Sequence, residues 1–93
     1  MATTLKRLYN FTTSASGAAQ SIADLDPTTL GGDGNWQIQN DSGNANNMFV
    51  GNDTQQTIKL LPNQAFVFTG YLADDCYVVG TAADVIRVVR LDP

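Results

Sequence analysis

The side chains of this sequence that could take part in chemistry are carboxylates, one thiol and a few aromatic rings, because the chain contains neither histidine nor glutamate. Asp24 and Asp26 would share one face of a strand, and Asp74 and Asp75 are adjacent. Paired carboxylates cleave glycosidic bonds when a cleft holds them a short distance apart. Nothing in the sequence predicts such a cleft, and aspartate is a common turn former. The pattern therefore favours a structural role for these aspartates.

The only thiol, Cys76, has no activating neighbour in the sequence. A nucleophilic cysteine needs a base or a nearby cation to form its thiolate, and Cys76 directly follows two aspartates. One cysteine also excludes a disulfide within the chain. We therefore predict a small, semi-buried core residue at this position, and no enzymatic activity for the protein.

The glycine-rich segment from Gly31 to Asn35 superficially matches a calcium-binding repeat. That repeat requires an aspartate where this chain has Trp36, and it functions in tandem copies, of which there is one here. The segment is also not followed by the lysine of a phosphate-binding loop. We therefore predict a loop from Leu30 to Asn35, and we predict no metal ion and no cofactor.

Three aromatic residues could form a platform that stacks against sugars: Trp36, Tyr71 and Tyr77. The abundant Asn, Gln and Asp side chains would suit hydroxyl recognition. However, Trp36 and Ile38 alternate with glutamines, which predicts that both point into a core. A core position for Trp36 is therefore favoured, and sugar binding is the alternative.

The elements that would position these residues are short strands. Turn formers recur along the chain, and the runs between them are rich in Val, Ile, Thr, Tyr and Phe. The connections are too short for parallel crossovers, so the sheet should be mainly antiparallel. We predict an all-β fold in one domain over residues 1–93: an antiparallel two-sheet β-sandwich, jelly-roll-like, with about eight short strands. The ambiguous segment before Pro27 is predicted as a strand over Ala18 to Asp24, rather than a helix.

Charge and size restrict the possible partners. The chain has 93 residues and a formal net charge of −4, so binding to nucleic acid is not expected. No apolar run approaches the ~20 residues needed to span a bilayer, and no secretion signal is recognised. A domain this small is only marginally stable alone, and without disulfides or a metal ion we expect it to gain stability from oligomerisation.

The first and last strand-like runs carry apolar residues on both faces, with basic residues between them. A strand at the surface of a sandwich normally has one polar face, so a second apolar face indicates that something covers it. Arginine is also enriched in protein interfaces. We therefore predict a subunit interface on these two runs, formed by Leu5, Arg7, Tyr9, Phe11, Arg87, Val89 and Arg90.

Several short motifs from Trp36 onward occur in a recognisable order. They are W-x-I-x-N at Trp36, Val50-Gly51, the segment from Leu60 to Gln64, the segment from Tyr77 to Ala83, and a closing Val-Ile-Arg-Val-Val strand. In this order the chain resembles small β-sandwich virion proteins of tailed bacteriophages, many of which are head decoration (cement) proteins. Within the segment from Leu60 to Gln64, residues 61–64 are predicted to form a β-turn with Pro62 at its second position. Glycine is common in the pattern where this chain has Asn63, and asparagine also tolerates left-handed backbone geometry, so the turn is kept.

The resemblance implies a non-enzymatic structural protein of the virion. Such a protein would be made in the host cytoplasm and would decorate the capsid surface as a homo-oligomer, with a trimer favoured. Its partners would be the major capsid protein or other virion proteins, and it would stabilise the head by binding across capsid subunit joints. The alternatives are a carbohydrate-binding or host-recognition module of a tail fibre, and a component of the head–tail connector.

Overall fold

Two antiparallel sheets of four strands each make up the part of the protein that the computed structural model describes, which is residues 10–25, 33–72 and 75–90. The strands are β1 (Asn10–Ser14), β2 (Gln20–Ser21), β3 (Asp33–Asn40), β4 (Met48–Gly51), β5 (Gln56–Leu60), β6 (Ala65–Leu72), β7 (Tyr77–Val79) and β8 (Val85–Arg90), and one helical turn, α1 (Ile22–Leu25), follows β2. Within the described residues no helix is long and apolar enough to cross a membrane.

The order of the strands is that of a jelly roll. One sheet, here called sheet A, has the order β1-β8-β3-β6, and the other, sheet B, has the order β2-β7-β4-β5. Every neighbouring pair is antiparallel. This is the arrangement in which two interleaved Greek keys wrap around a common core. The predicted all-β sandwich is therefore confirmed.

The chain crosses between the two sheets four times at one end of the sandwich, here called the crossover end. The crossing segments are residues 15–19, 41–47, 61–64 and 80–84. Backbone hydrogen bonds join them to one another: the Ala15 N–H donates to the Asp84 carbonyl, and the Asn63 N–H donates to the Asn40 carbonyl, both over 2.7 Å. The crossings therefore form one hydrogen-bonded cap over this end.

The core lies between the sheets and follows the alternation of the strands. Trp36 and Ile38 are both fully buried, as their alternation with glutamines predicts. Trp36 pairs with Phe68 on one side and Arg90 on the other. The remaining fully buried apolar side chains come from both sheets, from α1 and from the residue before β7: Ile22, Met48, Val50, Cys76, Val78, Ile86 and Val88.

Two local predictions were wrong in part. The predicted strand over residues 18–24 is a two-residue strand followed by α1, because the buried Ser21 caps the turn: its Oγ accepts a hydrogen bond of 3.0 Å from the Asp24 N–H. The predicted loop from Leu30 to Asn35 is a strand from Asp33 onward. The pairing of β3 with β6 shifts register between Gly34 and Trp36, and such irregularities are typical where a strand contains glycine.

The predicted turn at residues 61–64 is confirmed in detail. The Gln64 N–H donates to the Leu61 carbonyl over 2.9 Å, with Pro62 at the second position of the turn. Asn63, at the third position, has a positive φ of 75°, the left-handed geometry that a type II turn requires there. This turn joins β5 to β6, and so it holds together the side of the sandwich described next.

Candidate functional site

An open cleft lies along one side of the sandwich, where β5 is the edge strand of sheet B and β6 is the edge strand of sheet A. We call it the β5–β6 cleft. Its volume is about 280 Å³, and it is lined by Gly51, Asn52, Ile58, Phe66, Val67, Phe68 and Asp75. The turn at residues 61–64 joins its two edge strands at the crossover end.

The cleft forms because β5 and β6 carry apolar side chains on their core-facing sides. Both are edge strands, and among the described residues no further strand covers these side chains. Ile58 pairs with Val50 and so shares its face, which points between the sheets. Val50 is fully buried in the middle of sheet B, whereas Ile58, on the edge strand, is 42% exposed. Phe66 is only partly buried, and its ring packs edge-to-face on the buried Phe68 with centroids 4.9 Å apart. The interior of the cleft is therefore apolar.

The polar rim of the cleft offers little chemistry. The Asn52 Oδ1 is occupied within its own turn, where it accepts hydrogen bonds from the backbone N–H groups of Thr54 and Gln55 and from the Thr54 hydroxyl. Asp75 is exposed and is the single titratable group among the described residues that line the cleft. General acid–base chemistry requires a partner for such a group. This arrangement suits the binding of apolar side chains better than a reaction.

The crossover end, in contrast, is built from buried amides. The Asn40 side chain is fully buried in phase with Trp36 and Ile38, and its Nδ2 donates to the carbonyls of Asn46 and Leu60 over 2.9 and 3.0 Å. The Asn40 Oδ1 accepts from the Asn44 Nδ2 over 2.8 Å.

Asn44 extends this amide network to the first residue of β8. Its Nδ2 donates to the Val85 carbonyl over 2.7 Å, and its Oδ1 accepts from the Val85 N–H over 2.9 Å. Among the described residues no buried side-chain N or O atom lacks a hydrogen-bond partner. The Asn40–Asn44 network is therefore complete within the chain, and it has a structural role.

An ion pair between Asp41 and Arg87 lies on the surface beside this network. The hydrogen bond from the Arg87 Nε, supported by one from the Gly43 N–H, holds the pKa of the Asp41 carboxyl below its ordinary value of 3.8. The Arg87 side chain remains 53% exposed, so it is also accessible to a partner.

The predicted interface residues differ in where they lie and in how far they are buried. Leu5, Arg7 and Tyr9 lie outside the described residues. Phe11 is half-buried and packs against the core, and this packing accounts for its apolar character. Arg90 is half-buried, with its guanidinium carbon 6.0 Å from the centre of the Trp36 ring.

Val89 and Arg87 face outward from sheet A, opposite to the buried Ile86 and Val88. The strand that carries them, β8, is not an edge strand, because it lies between β1 and β3. The apolar residues on its inward face, Ile86 and Val88, are explained because that face lies in the core. An interface on the outer face stays a prediction.

The register brings uncharged residues around these two outward side chains. Val89 lies in a cross-strand row with Asn10, Gln37 and Val67. Arg87 lies in the adjacent row with Thr12, Gln39 and Ala65. At these positions the outer face of sheet A therefore carries one charge, on Arg87, among polar and small apolar side chains.

The other candidate residues have structural positions. Trp36 is fully buried and cannot stack against a sugar. Cys76 is also fully buried, which confirms a core position. Among the described residues no group of three or more Cys or Asp side chains is arranged to hold a metal ion.

Reading of the sequence did not find the β5–β6 cleft, because its lining comes from four separate segments of the chain. The one usable signal was β6 itself, an eight-residue strand without a charged residue. Comparison of the chain with protein-family models, with curated proteins and with solved structures finds no match.

Proposed function

We propose that this protein is a non-enzymatic structural component of a virion, which decorates the capsid surface and stabilises the head by binding across capsid subunit joints. The observation that carries the proposal is the β5–β6 cleft: an apolar opening in a small jelly roll, with a single carboxylate at its rim. Such a cleft offers burial of apolar side chains, which is what an assembly contact requires. Jelly rolls are also a recurrent architecture of viral capsid domains.

The proposed mechanism is burial of surface on neighbouring subunits. Stable specific interfaces bury on the order of 1,200–2,000 Å² in total. A small protein reaches such areas only by using more than one of its surfaces. Attachment to a repeating lattice also raises the effective concentration of each further contact, so individually weak contacts become strong together.

The outer face of sheet A is the second surface that we assign to this function. Apart from Arg87, the rows around Val89 and Arg87 are uncharged. A surface of this composition loses little hydration energy when a partner covers it, because few full charges have to be desolvated. Arg87 would provide a directional contact to a carboxylate of the capsid.

The proposal is tested by mixing the purified protein with capsids of the phage that encodes it, assembled without this component. We expect the protein to co-sediment with the capsids and to raise the temperature at which they release their DNA. Val89→Asp should weaken co-sedimentation, because it places a new carboxylate in the contact, whereas Thr81→Asp at an exposed position of the crossing segment 80–84 should not. Capsids that neither bind the protein nor gain heat resistance would contradict the proposed function.

A further inference from the structure

The free edge of β6 is the least protected strand edge among the described residues. Natural sheets protect their edges with short strands, charged side chains or proline, because an open edge pairs with other chains. In this protein β1 has five residues and β2 has two, and β5 carries Lys59. β6 has eight residues, with the sequence AFVFTGYL, which contains neither a charge nor a proline. Its composition is that of a strand that pairs.

The hydrogen-bond phase of β6 determines which of its backbone groups are available. The Asn40 N–H donates to the Gln64 carbonyl, and bonded pairs in an antiparallel ladder recur at every second residue. Phe66 and Phe68 therefore direct their backbone groups to β3, and the residues between and beside them direct theirs to the open edge. These outward-directed residues are Ala65 and Val67, and the N–H of Thr69 follows them, because the register shift with β3 begins only after the pair of Trp36 and Phe68.

We propose that two copies of this protein pair through β6, antiparallel, about a two-fold axis at Val67. In this register Val67 faces Val67 of the second copy, and Ala65 faces Thr69 of the second copy. Ala65 and Val67 direct their N–H and C=O groups to the open edge, and Thr69 directs its N–H there, so the contact forms a ladder of about four hydrogen bonds. The two A sheets would become one continuous sheet of eight strands.

The same register aligns the side chains of the cleft. Phe66 would lie beside Phe68 of the second copy on the inner face of the joined sheet, which gives an aromatic cross-strand pair on each side of the axis. Val67, now 41% exposed, would be covered by Val67 of the second copy on the outer face. The added strand also lies across the opening of each cleft, next to the exposed Ile58.

A second copy fits this edge better than an unrelated acidic or basic segment. Each copy carries a net charge of −4, so two copies repel unless they meet where charge is absent. β6 meets that condition, and its hydrogen-bond phase and its aromatic pair are both self-complementary under a two-fold axis. The inference rests on the proposed function, in which the cleft is a protein contact, and it names the partner at that contact.

The test is the mass of the isolated full-length protein in sedimentation equilibrium, over concentrations from about 1 μM to about 1 mM. We expect a reversible monomer–dimer equilibrium, since one strand pair and its side chains form a small interface. Val67→Lys should weaken dimerisation by about 100-fold, because it places two like charges directly opposite each other. Val67→Pro should also abolish it, because proline removes an N–H on the open side of the edge strand.

The matched control is Ser14→Lys. Ser14 is exposed and lies on the same outer face of sheet A, on the opposite edge strand, where it pairs with the uncharged Val85. This variant adds the same charge to each copy, so it should dimerise as the unsubstituted protein does. Far-UV circular dichroism establishes that each variant is folded.

A covalent trap tests the register itself. Paired residues that exchange hydrogen bonds have Cα atoms about 5.5 Å apart, which lies within the range of disulfide bonds. Val67→Cys should therefore form a disulfide-linked dimer on mild oxidation, and Ser14→Cys should not, while the native Cys76 is buried in both. A protein that stays monomeric at 1 mM, forms a trimer, or dimerises equally well with Val67→Lys would overturn the inference.

The result of the dimerisation test can be distinguished from the result of the capsid-binding test. Dimerisation through Val67 without binding to capsids would refute the virion proposal and leave the β6 contact standing. Conversely, if the protein binds capsids and the Val67→Lys variant still self-associates, the β6 contact is refuted and the virion proposal stands. The two-fold contact closes at two copies, and so it differs from the trimer that the resemblance to decoration proteins favours.

Discussion

The crossover end and the β5–β6 cleft are two boundaries of the sandwich, where groups that lie between the sheets would be exposed to water. The two boundaries differ in how these groups are covered. At the crossover end, Asn40 and Asn44 form hydrogen bonds with backbone groups of Asn46, Leu60 and Val85, which lie in or directly beside the crossing segments. At the cleft, Ile58 and Phe66 reach the rim with part of their apolar surface uncovered.

This difference indicates which of the two regions is stable without contact to a second molecule. A buried polar network is stable only when every member is bonded, and the network at the crossover end is complete. An uncovered apolar surface is stabilised further only by an added surface. We therefore expect substitutions in the amide network at the crossover end to act on folding, and substitutions of the exposed apolar side chains at the cleft to act on association.

The largest expected effect is that of Asn40→Asp at the crossover end. The Asn40 Nδ2 donates to two carbonyls, and a carboxylate at the same position would be buried facing both acceptors. The free energy of unfolding should fall by about 3–5 kcal/mol, measured by urea denaturation.

The matched control for this variant is Asn52→Asp at the cleft. The Asn52 Oδ1 accepts hydrogen bonds from Thr54 and Gln55, and an aspartate keeps those acceptors. This change should alter the free energy of unfolding by less than about 0.5 kcal/mol. Equal losses in the two variants would contradict the assignment of a donor role to Asn40.

The next largest effect is expected for Gly51→Ala, a substitution in the lining of the cleft. A Cβ atom at Gly51 would lie 2.0 Å from the Gln55 carbonyl oxygen and 2.9 Å from the Gln56 Cα, so the β4–β5 hairpin would have to move. The free energy of unfolding should fall by about 1–3 kcal/mol in thermal or urea unfolding.

Gly43→Ala is the corresponding change at the crossover end. Its Cβ would meet only the Asp41 side chain, with the Oδ2 3.1 Å away, and that side chain can rotate. Its cost should be below about 1 kcal/mol. If Gly43→Ala were the more damaging of the two, the hairpin beside the cleft would be less rigid than the structure indicates.

Ala83→Gly should stabilise the crossover end. Ala83 has a positive φ of 75°, which costs a residue with a Cβ atom about 1–2 kcal/mol, while its N–H donates to the Ala15 carbonyl. Glycine removes that strain but increases the entropy of the unfolded chain, so the net gain should be about 0.5–1 kcal/mol. Ala82→Gly, at a neighbouring exposed position without a positive φ, should give no gain.

The smallest expected effect concerns pH. The Asp41 pKa is lower in the folded protein than its ordinary value of 3.8, so the ionised carboxyl stabilises the fold at pH above 3.8. This contribution is lost as the pH falls below 3.8 through the lowered folded pKa. Asn at position 41 does not titrate, so Asp41→Asn should lose less stability than the unsubstituted protein between neutral pH and pH 2, measured by urea unfolding at each pH. Identical pH profiles would show that the ion pair with Arg87 contributes nothing.

Local chemistry was sufficient to predict several parts of the fold. Alternation with glutamines placed Trp36 and Ile38 in the core, and Pro62 with Asn63 predicted the turn between β5 and β6. These features depend on a residue and its immediate neighbours, through strand pleating and backbone dihedral preferences. The same alternation also points Asn40 inward, but an amide can be buried only if partners from elsewhere in the chain bond it, and those partners are not visible in sequence.

The sequence by itself determined an all-β sandwich of about eight short antiparallel strands, because each strand and turn has a local signature. Only the tertiary structure decided which strands are neighbours. It placed β8 in the middle of sheet A, and it made β5 and β6 the two edges of one open side. The β5–β6 cleft follows from that arrangement alone, since Ile58 and Phe66 belong to different sheets and become neighbours only when the chain crosses over.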